Sequence, residues 1–171
     1  MKRILFVLIA VLSYIAANAQ EWQVTKHEAD DLKGTEAYTS YMFSEPGVGS
    51  FVFWSNHDGH YRLISDDGIF NYERIASKFG AYRGESVIVG LYDNDNNLVE
   101  RIEMWLDCES DKPTFLETRN AGKMLNPIGQ AKKVKKIMKH LNSGKGYIRF
   151  VAARYGKTDF DLKVPCEGLN K

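Results

Sequence analysis

The stretch SVIVGLYDNDNNLVERIEMWLD, residues 86–107, decides how this chain folds. On both sides of the central run DNDNN, apolar side chains share one strand face, at Val87, Val89, Leu91, Leu98, Ile102, Met104 and Leu106, with Glu100 the exception. The opposite face of the second strand carries Arg101, Glu103 and Asp107, but also Trp105. Such alternation is typical of antiparallel strands that bury one face, and it fixes the register because a one-residue slip would expose the apolar row. The stretch therefore predicts a hairpin within the core sheet.

The polar run at residues 93–97 also places carboxylate and amide oxygens at alternating positions, as calcium-binding loops do. However, Leu98 stands where such a loop needs glycine, and Met104 stands where it needs a bidentate glutamate. Asn and Asp tolerate the left-handed geometry of tight turns. We therefore interpret this run as the turn of the hairpin and expect no metal there.

The other apolar segments predict a mainly β chain. We expect strands at residues 21–26, 36–44, 51–55, 60–65 and 69–72, an edge strand at 112–118, and a second hairpin at 147–155 and 158–164. Residues 73–85 have apolar positions at helical spacing but include Gly80 and Gly84, which favours a short helix or a loop.

Residues 128–142 carry the clearest helical pattern. The apolar stripe consists of Ala131, Val134, Ile137, Met138 and Leu141, and lysines 132, 133, 135, 136 and 139 occupy the rest. Many short strands and one helix favour an antiparallel β-sandwich with one amphipathic helix near the C-terminus. A partly closed barrel is the alternative architecture.

The first 19 residues predict a secretory signal peptide. Lys2 and Arg3 precede a short apolar run, and Ala17-Asn18-Ala19 forms a small-x-small cleavage site. The apolar run is too short for a stable membrane-spanning helix, and no second apolar span follows. We expect residues 20–171 to form a single β-rich domain in the periplasm or outside the cell.

Charge and cysteine content indicate which partners to expect and whether a disulfide forms. Without Lys2 and Arg3 the chain has 21 Lys+Arg against 22 Asp+Glu, whereas nucleic-acid binders usually show a basic excess. We therefore expect no nucleic-acid partner, and we expect no cofactor. In an oxidising compartment Cys108 and Cys166 predict one disulfide, worth roughly 4 kcal/mol, with two unpaired thiols as the alternative.

Aromatic residues are numerous for a small domain, especially between residues 38 and 72. Rings that share an exposed sheet face can stack on sugars or fill a pocket of a partner. The candidate ligand-binding residues are Tyr38, Tyr41, Trp54, Tyr61 and Tyr72. Each of these rings could equally belong to the core.

A second candidate site is the run Asn56-His57-Asp58-Gly59-His60. Two imidazoles and a carboxylate could bind a metal or begin a hydrolytic site. A tight turn also explains Asp58-Gly59, and no third ligand follows nearby. A tight turn is a simpler interpretation of this run than a metal or hydrolytic site.

The layout of residues 86–165 resembles small bacterial periplasmic β-proteins, namely invasion-associated locus B-like domains and some accessory proteins of type VI secretion. The resemblance lies in a hairpin followed by three segments, KHLNSGK at 139–145, YIRFV at 147–151 and TDFDL at 158–162. It implies a non-enzymatic β-sandwich of the cell envelope.

These observations predict a secreted or periplasmic, non-enzymatic binding module of the bacterial cell envelope that contacts an envelope protein, a host protein or a glycan. The alternative is a metal-dependent hydrolase that uses the His57-Asp58-His60 turn. A third possibility is a structural protein whose sheet edge pairs with a strand of a partner.

Overall fold

The computed structural model describes residues 21–56, 59–67, 70, 73–77, 80–108, 115–118, 127–154 and 157–169. Of residues 73–77, 80–83, 108, 115, 127–130, 153–154 and 157–159 it describes the backbone alone. The predicted signal peptide lies outside the described residues. In the described part of the chain, no helix is both long and apolar enough to cross a membrane.

The described residues form ten strands and one helix. The strands are β1 (Gln23–His27), β2 (Tyr38–Glu45), β3 (Gly49–Trp54), β4 (Tyr61–Ser65), β5 (Glu73–Ser77), β6 (Gly80–Tyr92), β7 (Leu98–Cys108), β8 (Phe115–Glu117), β9 (Tyr147–Arg154) and β10 (Lys157–Pro165). The helix is α1 (Pro127–Leu141). The prediction of a mainly β fold with one amphipathic helix near the C-terminus is confirmed.

All ten strands belong to one antiparallel sheet. Its order is β1-β2-β3-β4-β8-β7-β6-β9-β10, and β5 pairs with the start of β6. The sheet is not closed, but it curls until β10 contacts β2 and β3. A single curled sheet around one core corresponds to the partly closed barrel that the sequence left as the alternative to two packed sheets.

The hairpin at residues 86–107 forms as predicted. Val87 pairs with Met104 and Val89 pairs with Ile102, and all four side chains are buried. A bulge between Leu91 and Tyr92 shifts the register at the end of the hairpin. Leu98, which the alternation assigned to the apolar row, is consequently 52 % exposed.

Two local predictions were wrong. Residues 73–85 are extended, because β5 and the first residues of β6 form a hairpin with Ile75 opposite Tyr82. Cross-strand pairing has overridden a weak helical spacing there. The strand expected at 112–118 is β8, which lies between β4 and β7 and is therefore not an edge strand. Of the segment predicted as a strand at 69–72, residues 69, 71 and 72 lie outside the described residues, and Phe70 is a buried core residue.

The concave face of the sheet encloses the core. Phe51 lies at its centre, with ring centroids 5.2 Å from Phe150 and 5.3 Å from Tyr61. Trp22 precedes β1 and contributes a tilted or edge-on ring to the same aromatic cluster. Each fully buried side chain of this size contributes about 1.5–3 kcal/mol, so the cluster is a major part of the stability.

Helix α1 packs on this core and contacts β7 and β9. Ile137 and Leu141 are fully buried in the cluster that also contains the sheet side chains. The helix ends where the amide of Gly144, in the left-handed region at φ +66°, donates to the carbonyl of Leu141. The predicted apolar stripe is thus the buried face, apart from Ala131, which is exposed.

Two glycines are required by close backbone approach. A Cβ atom on Gly146, at φ +72°, would lie 1.9 Å from the carbonyl oxygen of Tyr92. A Cβ atom on Gly49 would lie 2.0 Å from the carbonyl oxygen of Ile64. No side chain fits at either place without a backbone shift, so these glycines fix how the strands approach each other.

Candidate functional site

The sheet divides the predicted aromatic set between its two faces. Along β2 and β3, Tyr41 shares the core side with Phe43, Phe51 and Phe53, and the residues between them point outward. Tyr38 and Trp54 lie on the outer side with the alternate residues of these strands. Tyr72 lies outside the described residues.

Tyr61 is a core residue. Its side chain is fully buried between Phe51 and Phe150. Burial raises the pKa of its phenol well above the ordinary value. Its hydroxyl has no hydrogen-bond partner among the residues that the structure describes. Tyr61 therefore does not belong to an exposed binding face, contrary to the prediction from sequence.

Tyr41 also faces the core, although less deeply. Its ring stacks on Phe53 with centroids 4.7 Å apart and planes within 7° of each other. It packs at the margin of the buried cluster and is half-buried. One face of its ring is therefore covered by Phe53, and Tyr41 lies on the opposite side of the sheet from Tyr38 and Trp54.

Tyr38 and Trp54 come close together on the outer side of the sheet. Trp54 lies directly opposite Ser40, and Ser40 is two residues from Tyr38 on the same face of β2. Diagonal neighbours in an antiparallel pair lie about 7–8 Å apart, within reach of aromatic side chains. Two of the five predicted residues therefore form one half-buried surface.

Neighbouring strands complete this surface. His27 of β1 stacks on Tyr38 with centroids 4.2 Å apart, and its Nε2 lies 2.9 Å from Ser40 Oγ. On the other side, the guanidinium of Arg62 lies over Trp54, 5.4 Å from the ring centroid. We name the group of His27, Tyr38, Ser40, Trp54 and Arg62 the outer aromatic face.

The outer aromatic face combines ring surfaces with hydrogen-bonding and charged groups. The hydroxyl of Ser40 lies between two ring systems, and Arg62 also forms an ion pair of 3.3 Å with Glu117. Rings provide stacking area, while the hydroxyl and the imidazole provide directional hydrogen bonds. The pairing of Ser40 with His27 also resembles a nucleophile with a base.

His27 and Arg62 were not predicted from the sequence. The signal that could have found Arg62 is its position between Tyr61 and Leu63, because alternation turns it outward when they are buried. His27 could not be found in this way, since it depends on the register that pairs it with Tyr38. Register depends on both strands of a pair, so it cannot be predicted from the sequence of either strand alone.

The opposite half of the sheet carries a second outer cluster. Tyr92 and Tyr147 stack with centroids 4.6 Å apart, and Lys163 lies 5.7 Å from the Tyr147 centroid. Arg149 donates two hydrogen bonds to the carboxylate of Asp161, which raises the pKa of the guanidinium further. These groups bind one another across β6, β9 and β10, so the cluster mainly stabilises the sheet.

The His57-Asp58-His60 candidate lies largely outside the described residues, because His57 and Asp58 are not described. His60 is described and is half-buried just before β4. Among the described side chains, no group of three or more His, Cys, Asp or Glu residues is arranged to hold a metal ion.

The turn at residues 93–97 uses its own polar groups. The carboxylate of Asp93 accepts hydrogen bonds from the amides of Asp95 and Asn97 and from the Asn97 side chain. These bonds, those from Asn97 first, lower the pKa of Asp93. Asn96 takes the left-handed conformation at φ 66°, and Asn94 accepts a hydrogen bond from the amide of Gly146. The run is the turn that the sequence predicted.

The predicted disulfide is absent from this structure. Cys166 is a fully buried free thiol whose amide donates to the carbonyl of Gly146, beside Tyr92 at the end of β6. Asp107 pairs with Gly84 near the start of β6, and Cys108 follows Asp107 in the chain. Gly84 and Tyr92 are eight residues apart along β6, which separates the two cysteines by about 26 Å. The Cα atoms of a disulfide-bonded pair lie within about 7 Å of each other. Burial raises the pKa of the Cys166 thiol to about 12.

No protein-family description, no curated protein and no solved structure matches this chain.

Proposed function

We propose that this protein is a secreted or periplasmic, non-enzymatic binding module of the bacterial cell envelope, and that it binds its ligand through the outer aromatic face. The observation that carries the proposal is that Tyr38 and Trp54 share one outer sheet face with Ser40, which lies opposite Trp54 and within hydrogen-bonding distance of His27. His27 stacks on Tyr38 from the neighbouring strand. The signal-peptide pattern and the resemblance to envelope β-proteins support the location.

The ligand that this face fits best is a glycan. A sugar ring presents an apolar C–H face for stacking and hydroxyls at its rim, which match aromatic rings separated by hydrogen-bonding groups. Tyr38 and Trp54 lie diagonally on neighbouring strands, a spacing that allows one or two sugar rings to contact both. A protein of the envelope is the second possible occupant, and it would use the same rings as anchors.

The test uses the mature chain, residues 20–171, on a glycan array and in a pull-down from envelope extract. We expect Trp54→Ala and Tyr38→Ala each to weaken binding about tenfold or more, the equivalent of about 1.4 kcal/mol. Trp105→Ala is the matched control, because Trp105 is also a half-buried tryptophan on an outer strand face, but in the other half of the sheet.

Two results would overturn the proposal. One is equal weakening by Trp54→Ala and Trp105→Ala, which would place the ligand elsewhere. The other is the capture of no glycan and no envelope protein by the unmodified chain. A protein captured in place of a glycan, and lost with Trp54→Ala, would keep the face and correct the ligand.

A further inference from the structure

The structure divides the lysines of α1 into two groups. Lys133 Nζ donates a hydrogen bond of 2.7 Å to the carbonyl oxygen of Glu103, and Lys136 Nζ forms an ion pair of 2.5 Å with the carboxylate of Glu100. Both acceptors lie on β7. These two lysines therefore hold the helix against the sheet.

The other three lysines of the helix have a different setting. Lys132, Lys135 and Lys139 are exposed, and none of them has a hydrogen bond or an ion pair with another described residue. Positions separated by three and four residues fall on one side of an α-helix. At 1.5 Å per residue they span about 10 Å. We name these three residues the lysine stripe.

The orientation of the lysine stripe is fixed by the opposite side of the helix. Ile137 and Leu141 are fully buried in the core, and the imidazole Nε2 of His140 lies 3.0 Å from the carbonyl oxygen of Tyr92. The helix cannot turn about its axis without breaking these contacts. A ligand would therefore meet three lysines whose backbone positions are already fixed in a row, with little backbone ordering left to occur on binding.

Positive charge is concentrated in the segment that contains the lysine stripe. Residues 127–147 contain no Asp or Glu and six lysines, which are Lys132, Lys133, Lys135, Lys136, Lys139 and Lys145. Without Lys2 and Arg3 the whole chain has only 21 Lys+Arg, against 22 Asp+Glu. The segment is thus a basic region on an otherwise acidic protein, and such a region attracts anionic partners locally despite the small net charge.

We propose that the lysine stripe binds an acidic polysaccharide, whose successive carboxylates pair with Lys132, Lys135 and Lys139. A membrane surface fits less well, because the apolar side of the helix is buried and leaves no side chain to insert between lipids. A nucleic acid also fits less well, because no aromatic residue lies among these lysines to stack on bases. This site is separate from the outer aromatic face.

The experiment measures binding of the mature chain to polygalacturonate, a carboxylated polysaccharide, with uncharged dextran beside it. We expect binding to polygalacturonate at low salt, little to dextran, and loss of binding in 1 M NaCl because exposed charges are then screened. The variant Lys132→Gln/Lys135→Gln/Lys139→Gln should bind at least tenfold more weakly, and the corresponding triple arginine variant should keep binding within about threefold.

The matched control is Lys26→Gln/Lys33→Gln/Lys163→Gln, which removes the same charge from exposed lysines elsewhere. This control variant should change the affinity for polygalacturonate less than twofold. Equal loss in the two glutamine triples, absence of binding at low salt, or stripe-dependent binding to phosphatidylglycerol vesicles alone would each overturn the proposal. Far-ultraviolet circular dichroism of every variant verifies that it is folded.

Discussion

The indole nitrogen of Trp22 donates a hydrogen bond of 3.0 Å to the carbonyl oxygen of Pro165, 143 positions away along the chain. The donor precedes the first strand of the sheet and the acceptor ends the last strand. In an open sheet this bond joins the two free ends, while the indole itself packs among Phe43, Phe51 and Phe53.

Substitution of Trp22 should therefore loosen the whole domain. We expect Trp22→Ala to lower the free energy of unfolding by roughly 2–4 kcal/mol, because it removes a partly buried ring from an aromatic cluster and a hydrogen bond. Trp22→Phe keeps most of the ring contact and should cost about 1–2 kcal/mol. Urea unfolding followed by circular dichroism measures both. A loss below about 0.5 kcal/mol for Trp22→Ala would mean that the two sheet ends are held by other contacts.

Gly146 and Gly144 offer a comparison between steric conflict and backbone strain. Both have φ near +70°, but a Cβ on Gly146 would meet the Tyr92 carbonyl whereas one on Gly144 would meet nothing within 4 Å. Gly144→Ala should cost about 1 kcal/mol from the left-handed conformation alone. Gly146→Ala should cost at least twice as much. Equal unfolding free energies for the two variants would contradict the close approach of β9 to Tyr92.

Removal of the Tyr61 hydroxyl should not harm the protein. This hydroxyl is buried and has no partner among the described residues, so it loses its hydration on folding without a compensating bond. We expect Tyr61→Phe to raise the free energy of unfolding by about 1 kcal/mol. Tyr41→Phe, which changes a half-buried tyrosine on the same side of the sheet, should stay within about 0.5 kcal/mol of the unmodified chain. A clear destabilisation by Tyr61→Phe would reveal a bonded hydroxyl.

Cys166 should make stability depend on alkaline pH. Burial raises the pKa of the folded thiol from 9.0 to about 12. Above pH 9 the unfolded chain therefore binds fewer protons than the folded one, and stability falls as pH rises, by up to about 1.4 kcal/mol per pH unit. Between pH 8 and pH 10 the unmodified chain should lose about 1 kcal/mol more than Cys166→Ala. Urea unfolding at the two pH values measures the difference.

Alkylation distinguishes the free thiol from a bridge directly. Without reductant, the folded protein should leave Cys166 unmodified at pH 8, and the urea-unfolded protein should take up two iodoacetamide groups per chain. No uptake after unfolding would demonstrate a disulfide and would contradict the separation of the two cysteines in the sheet.

Local patterns in the sequence predicted where the strands and the helix lie far better than they predicted which strands pair. Alternation located the strands β6, β7, β9 and β10, and a 3.6-residue period located α1. The pairing of β4 with β8 and of β6 with β9 joins segments distant in the chain, and no local signal reports it. The same limit explains why the expected edge strand is internal.

The candidate site shows this limit at the level of single residues. The aromatic content of the sequence grouped Tyr38, Tyr41, Trp54 and Tyr61 together. In the structure, Tyr38 and Trp54 point outward, whereas Tyr41 and Tyr61 lie on the core side of the sheet. Alternation of Tyr61 with the buried Leu63 could have identified its direction. The contacts of His27 with Tyr38 and Ser40 required the β1–β2 register as well.

The shortness of β8 has a consequence for how the domain folds and opens. Three residues, Phe115–Glu117, join β4 to β7 and thereby connect the N-terminal meander to the C-terminal part of the sheet. Each part consists mostly of hairpins between neighbouring segments, which form early because little loop entropy is lost. The β8 amides should therefore exchange with solvent faster than those of β6. Docking of the two parts across β8 and the shared core should be the late step of folding.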